Sequence, residues 1–304
     1  MKLHAIVFCV ALALVGQSAR GENAPVAIVA STEELAIPPI EFESAPVACG
    51  SPLTLMQWSY GDGDAEEFDG AYPGAMETDR PYFTKSASVV GIRAWQLETG
   101  YTYAENGRQV YHTFPEAILR VGALAEWFEF RVGWTWLDHD RKGNVRDQTG
   151  ASDPYVGIKI ALTPQEEMLP ETAILIDTNL PLDSLDRNEM NPGVDFIYRW
   201  ELSDKLSMGG STEFRRISLN RHDSAIEFVQ SWIFEWAVTD LLTGYAEWAM
   251  FSLDTPPSTD TQQYIDGGFL YVLTDNIQLD VSAGYGLNEL AMDFFTGVGF
   301  SIRR

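Results

Sequence analysis

The chain has 304 residues, and its 20 Lys and Arg against 44 Asp and Glu give a formal net charge of −24. This acidic balance excludes nucleic acid as an expected partner, because a polyanion would be repelled. Beyond residue 24, no apolar run reaches the roughly 20 residues of a transmembrane helix. If the chain crosses a membrane, it must therefore do so as a closed β-barrel.

The N-terminus has the pattern of a secretory signal. Lys2 and His4 precede the apolar residues 5–16, and small residues at Ala19 and Ala24 offer alternative cleavage points. We predict a cleaved signal peptide within residues 1–24. Only Cys49 lies outside it, so the mature chain has no partner cysteine for an internal disulfide.

Residues 25–75 show little periodic pattern, and we group residues 25–90 as one N-terminal segment. Pro, Ala and Glu dominate as far as Pro46, which is typical of an exposed linker. Residues 62–69 are acidic but lack the glycine and the final glutamate of a calcium loop. We therefore predict an N-terminal periplasmic linker, and we leave open whether residues 78–84 enter the barrel as a plug.

From Gly91 onward, apolar and polar residues alternate with period two, which is the pattern of β-strands. Residues 127–137 show it most clearly. One parity of this stretch is apolar and the other polar, with Phe128, Phe130, Val132, Trp134 and Trp136 opposite Glu129, Arg131, Gly133 and Thr135. Twelve such segments predict an all-β fold, a transmembrane antiparallel β-barrel of about twelve strands over residues 91–304.

The connections between these segments alternate in length. Tight turns are predicted at residues 203–204, 239–240 and 274–276, and they recur at the interval of one hairpin. Longer polar loops are predicted at residues 105–112, 138–151, 181–191, 217–224, 252–261 and 288–293. Short periplasmic turns opposite longer extracellular loops are typical of outer-membrane barrels, so we expect an outer-membrane location and contact with its lipid.

The charged residues share one parity across nearly all strands, and most aromatic residues share the other. A soluble sandwich would have to bury all the aromatics in one interior, whereas a bilayer lets them face lipid and leaves the charges in a lumen. The candidate lumen and permeation residues are Glu98, Arg120, Glu129, Arg131, Asp195, Arg199, Glu201, Glu213, Arg215, Glu235, Glu247 and Asp280.

The whole lumen parity carries an excess of acids, which predicts a mildly cation-preferring lumen. Besides the candidates, it includes Glu116, Asp153, Lys159, Asp177, Glu227, Asp266 and Arg303. Two interpretations remain open. These side chains either form a polar lining that selects permeants, or they form an internal salt-bridge network that fills a narrow barrel.

Several motifs resemble those of a known family. Residues 78–84 read Thr-Asp-Arg-Pro-Tyr-Phe-Thr, residues 120–122 read Arg-Val-Gly, and residues 297–300 read Gly-Val-Gly-Phe. Over residues 77–304 the chain resembles the outer-membrane barrel proteins named for a MetA pathway of phenol degradation, which are often labelled transporters. The resemblance implies passage of small organic solutes, including aromatic ones, and insertion by the barrel-assembly machinery.

The sequence offers little support for catalysis. His222 and Ser224 are the one close His/Ser pair, and no motif surrounds them; no metal-ligand spacing is present either. We therefore expect no enzyme activity, no cofactor and no metal. The expected function is a channel or transporter for small solutes, and the alternative is a structural or adhesive barrel with a plugged, non-conducting lumen.

Overall fold

The computed structural model describes residues 52–60, 76–141, 148–182, 190–219, 223–255 and 258–304. The predicted signal peptide, the acidic residues 62–69 and His222 lie outside these ranges. The described ranges contain one short helix, α1 (Leu55–Tyr60). None of their helices is long and apolar enough to cross a membrane.

The described part of the chain is otherwise built from thirteen β-strands. They are β1 (Trp95–Asn106), β2 (Gln109–Gly122), β3 (Phe128–Arg141), β4 (Gln148–Ala151), β5 (Tyr155–Thr163), β6 (Glu171–Asn179), β7 (Gly193–Ser203), β8 (Leu206–Ser218), β9 (Ser224–Thr239), β10 (Leu242–Thr255), β11 (Ser258–Thr274), β12 (Ile277–Gly286) and β13 (Phe294–Arg303).

These strands form one closed antiparallel barrel. β1 pairs with β13 from Gln96↔Arg303 to Glu105↔Phe294, which joins the first strand to the last. The short β4 and the longer β5 pair with successive parts of β3, so the two together occupy one position in the barrel wall. The barrel therefore has twelve strand positions, which confirms the predicted fold class.

The tight turns are placed as predicted, but three of the predicted long loops consist largely of strand. β1 and β2 stay paired to Asn106↔Gln109, so a two-residue turn replaces the loop expected at residues 105–112. β10 and β11 stay paired to Thr255↔Ser258 within the loop expected at residues 252–261. β3 and β4 are paired from Trp136↔Ala151 to His139↔Gln148 within the loop expected at residues 138–151. Backbone pairing does not require an apolar face, so the strands of these hairpins stay paired beyond the point where apolar and polar residues cease to alternate. We define the turn end of the barrel by residues 204–205, 240–241 and 275–276, and the loop end as the opposite end.

The two faces of the wall differ in chemistry and exposure. Val132 and Trp134 of β3 point outward and are 38% and 41% exposed, whereas the neighbouring Arg131 points inward and is fully buried. The same division holds on β9, where Phe234 is exposed and Ser231 is buried. Apolar side chains therefore cover the outside and polar ones the inside, as a lipid-embedded barrel requires.

Adjacent residues of β12 allow a matched test of this division. Val281 faces outward and Ser282 faces a cavity inside the barrel. Replacing Val281 with Arg should lower the free energy of unfolding by about 2–4 kcal/mol, because a charge near the bilayer midplane is costly. Ser282→Arg should cost much less in the same reversible unfolding experiment in lipid. Equal losses would contradict the assignment of faces.

Candidate functional site: the barrel interior and its inner segment

Residues 76–94, which we call the inner segment, lie inside the barrel and contact opposite walls. The Tyr82 hydroxyl donates to Glu235 of β9 over 2.7 Å, and the Thr84 hydroxyl donates to Ser231 of the same strand over 2.6 Å. Across the lumen, the Val90 N–H donates to Glu129 of β3 over 2.9 Å. The inner segment forms neither helix nor strand, so its side chains and backbone groups bind the wall rather than extend it.

The inner segment enters from the turn end and returns to it. Glu77 pairs with Arg199, close to the turn that ends β7, and Val90 binds Glu129 at the start of β3. Between them, Phe83 reaches the loop half of the barrel, where its ring packs on Phe251. The segment is therefore an inward loop with its apex near Phe83.

The inner segment contacts a cluster of wall residues in which cations outnumber carboxylates. Arg120, Arg131 and Lys159 are all fully buried, and the wall opposes them with two carboxylates, Glu98 and Glu129. Arg120 binds Glu98 over 3.0 Å and Glu129 over 2.9 Å. The wall alone thus leaves three cations facing two anions, an arrangement that is costly away from water.

Asp79 of the inner segment supplies the third carboxylate. It pairs with Arg131 and lies 3.5 Å from the Lys159 ammonium and 3.8 Å from the Arg120 guanidinium. Lys159 also donates to the Ser86 carbonyl over 2.8 Å. The inner segment therefore balances the formal charge of this cluster.

A second cluster is acidic, and Lys85 offsets part of its charge. Asp177, Asp195 and Glu213 face the lumen, and Arg215 binds Asp177 and Glu213 over 2.6 Å each. The Lys85 ammonium lies 3.1 Å from both Asp195 and Glu213. With Lys85 in place, three carboxylates face two cations.

Arg80 occupies a recess in the wall. Its guanidinium binds Glu116 over 2.5 Å and lies 3.7 Å from Asp280. Gly100 and Gly299 are register partners in β1 and β13, and a Cβ at either position would collide with the Arg80 side chain. Glycine at both positions therefore leaves the space that the arginine fills.

Apolar residues also point into the lumen, which the parity analysis missed. Ala87 of the inner segment is buried against Ala173, Leu175 and Ile197. Tyr82 packs on a second cluster made by Ile233, Tyr245 and Leu270. These wall residues share the parity of the charged candidates, and that was the sequence signal for an apolar partner inside the barrel.

All twelve sequence-predicted lumen residues lie on the inner parity, but they do not form one site. Ten of them contact the inner segment, namely Glu98, Arg120, Glu129, Arg131, Asp195, Arg199, Glu213, Glu235, Glu247 and Asp280. Arg215 binds Glu213 and Asp177, and Glu213 in turn pairs with Lys85 of the inner segment. Glu201 is exposed at the turn end, where its N–H binds Gln165.

The described part of the barrel has a cavity towards each end. The turn-end cavity has a volume of about 360 Å³ and is lined by residues such as Arg199, Asp204 and Asp240. The loop-end cavity has a volume of about 410 Å³ and includes Thr102 and Met292. Tyr82 lines both, so the inner segment separates them. Within the described ranges, no group of three or more His, Cys, Asp or Glu side chains is arranged to hold a metal ion.

A closed antiparallel barrel with an apolar outside and a charged inside is the architecture of outer-membrane proteins. The family model "Putative MetA-pathway of phenol degradation" matches residues 78–303, and the chain belongs to this family. The matched region begins within the inner segment and ends at the last residue of β13.

A solved bacterial outer-membrane channel has the same fold. The "COG4313 outer membrane channel from Pseudomonas putida F1" matches at 9% identity with a TM-score of 0.60, covering 75% of this chain and 100% of that chain. The NanC porin matches at 12% identity and a TM-score of 0.46, and the KdgM porin at 11% and 0.46; each match covers 68% of this chain and 98% of the porin. None of the curated proteins compared with the chain matches it.

Proposed function

We propose that the protein is an outer-membrane channel for small organic solutes and that the inner segment closes it. The observation that carries the proposal is the pair of cavities at opposite ends of a charged lumen, with the inner segment between them. The channel structure with the same fold supports a conducting role. In this proposal the turns lie in the periplasm, and the barrel conducts without catalysing a reaction.

The inner segment is held by contacts that would allow it to move out of the lumen. It makes ion pairs and hydrogen bonds with the wall, among them the N–H groups of Phe83 and Thr84 bound to Glu247. Water and salt can replace such contacts one at a time, whereas displacing a barrel strand would break a continuous backbone ladder. The inner segment is therefore the element that can leave the lumen while the wall stays closed.

We expect the open channel to prefer cations moderately. The lumen parity carries more acids than bases, and residues 77–90 of the inner segment do not alter that excess, because Glu77 and Asp79 offset Arg80 and Lys85. A lumen of one dominant sign concentrates counter-ions, and added salt screens the effect. Reversal potentials across a KCl gradient should show a cation preference that shrinks at high salt. A clear anion preference would contradict this prediction.

The alternative function is a structural or adhesive barrel that does not conduct. It is favoured by one observation, namely that all four charged side chains of residues 77–90 have oppositely charged partners on the wall. Single-channel recordings of the full-length protein in planar bilayers test the choice. Discrete openings would support the channel, and a membrane that stays silent after verified insertion would favour the structural barrel.

A further inference from the structure

The recess around Arg80 is lined by hydrogen-bond acceptors of the barrel wall. The guanidinium binds the Glu116 carboxylate over 2.5 Å and lies 3.7 Å from the Asp280 carboxylate. It also donates to the Val298 carbonyl over 3.3 Å. A guanidinium carries five N–H donors in a planar fork, so it can serve several acceptors at once. The recess therefore has the chemistry of a guanidinium site.

The wall itself supplies no base for this recess. Among the residues that the structure describes, Arg80 is the one base that pairs with Glu116 or Asp280. Asp280 is buried, and neither of its carboxylate oxygens accepts a hydrogen bond. When the inner segment leaves the lumen, two wall carboxylates therefore lose their only counter-charge, and a buried charge without a partner is costly.

The recess exists because two residues of its wall lack side chains. Gly100 of β1 and Gly299 of β13 are register partners, and the three heavy atoms nearest to a Cβ at Gly100 all belong to Arg80. A side chain at Gly100 would therefore take the space of the guanidinium before it met the wall. Arg80 and Glu116 also line the loop-end cavity, so that cavity gives a solute access to the recess.

A site for a carboxylate adjoins the recess. The preceding residue, Asp79, pairs with Arg131 and lies 3.5 Å from the Lys159 ammonium. The N–H groups of Asp79 and Arg80 both donate to one oxygen of Glu98, over 2.9 and 3.0 Å. The acidic recess and the cluster of wall cations are therefore one residue apart along the bound chain. A departing inner segment leaves two carboxylates without a cation in the recess and a surplus cation in the cluster.

We propose that the wall around Asp79 and Arg80 is a binding site for small zwitterions that carry a guanidinium and a carboxylate, and that these two residues occupy the site in the closed barrel. The inference rests on the proposed function, because the site becomes free only when the inner segment leaves the lumen. A zwitterion of this kind supplies both missing charges, whereas a simple cation or anion supplies one. It competes with Asp79 and Arg80 for the wall and thereby favours the open channel.

The test compares L-arginine with L-citrulline, which has nearly the same shape but a neutral ureido group in place of the guanidinium. Calorimetry in detergent measures their binding to a full-length variant in which a Gly/Ser linker replaces residues 77–90, because the site is free in that variant. We expect arginine to bind about tenfold more tightly, the effect of losing a charge-assisted hydrogen bond. In planar bilayers, arginine but not citrulline should raise the open probability of the unaltered protein.

Two glycine variants test the position of the site. Gly100→Ala in the linker variant should weaken arginine binding about tenfold, because the added methyl group fills the recess. Gly209→Ala is the matched control. Gly209 also faces the lumen but lines the turn-end cavity, and a Cβ there would have no heavy atom closer than 3.2 Å. It should leave arginine binding unchanged.

Three results would overturn the proposal: no saturable binding of arginine to the linker variant, equal binding of arginine and citrulline, or equal effects of Gly100→Ala and Gly209→Ala. The bilayer comparison uses the unaltered protein and stands even if a variant fails to fold; equal effects of the two solutes there would also contradict the site. Binding to the linker variant requires no conduction. A protein that binds arginine but never conducts would therefore contradict the channel function alone, and one that conducts without preferring arginine to citrulline would contradict the site alone.

Discussion

Replacing Asp79 with Ala should release the inner segment or destabilise the closed barrel by about 3–5 kcal/mol, the usual cost of removing one partner from a buried ion pair. The variant leaves Arg120, Arg131 and Lys159, all fully buried, with only two wall carboxylates. The protein can keep these cations buried at that cost, or it can release the segment and admit water. Each tenfold change in the ratio of closed to open barrels corresponds to about 1.4 kcal/mol. We therefore expect a large rise in open probability in planar bilayers.

Glu201→Ala is the control for that variant. Glu201 lies on the same parity but is exposed at the turn end, so its removal should change stability by less than about 1 kcal/mol. Its openings should resemble those of the unaltered protein. If Asp79→Ala and Glu201→Ala behaved alike in both unfolding and conductance, the role given to Asp79 would be wrong.

Replacing residues 77–90 with a Gly/Ser linker of equal length should raise single-channel conductance severalfold. The change removes every contact between the wall and residues 77–90, so the turn-end and loop-end cavities should join into one water-filled path. The cation preference should persist, because the removed residues include two acids and two bases. Recordings and reversal potentials in the same bilayers measure both quantities.

A linker of Gly and Ser at residues 165–168 provides the control, because this exposed turn between β5 and β6 lies outside the lumen. It should leave the conductance unchanged. If the unaltered protein already conducted as well as the variant without the inner segment, the segment would not close the channel.

The barrel itself could be predicted because lipid and lumen impose opposite demands on alternate residues. Glu129 and Arg131 against Phe130 and Val132 show this on β3, where burial of the charged pair and exposure of the apolar pair follow the sequence parity. Tight turns also leave a local signal. The extended hairpins within residues 105–112 and 252–261 leave none, because backbone pairing continues there on polar residues without an apolar face.

The path of the inner segment could not be read from its own sequence. Its contacts join residues far apart in the chain, as between Thr84 and Glu247, and it has no periodicity of its own. Two sets of apolar wall residues on the inner parity indicated that a segment packs inside the barrel. Leu175 and Ile197 are apolar on the inner parity, and so are Phe251, Tyr264 and Phe295, although a water-filled lumen gives such side chains nothing to pack on.

A reversible cross-link tests most directly whether the inner segment closes the channel. The hydroxyls of Thr84 and Ser231 are 2.6 Å apart, so Thr84→Cys with Ser231→Cys should form a disulfide, and Cys49→Ser removes the native thiol. We predict that the oxidised protein stays closed in planar bilayers and that a reductant restores the openings of the unaltered chain. An oxidised, fully cross-linked protein that conducts as freely as the reduced one would contradict the account.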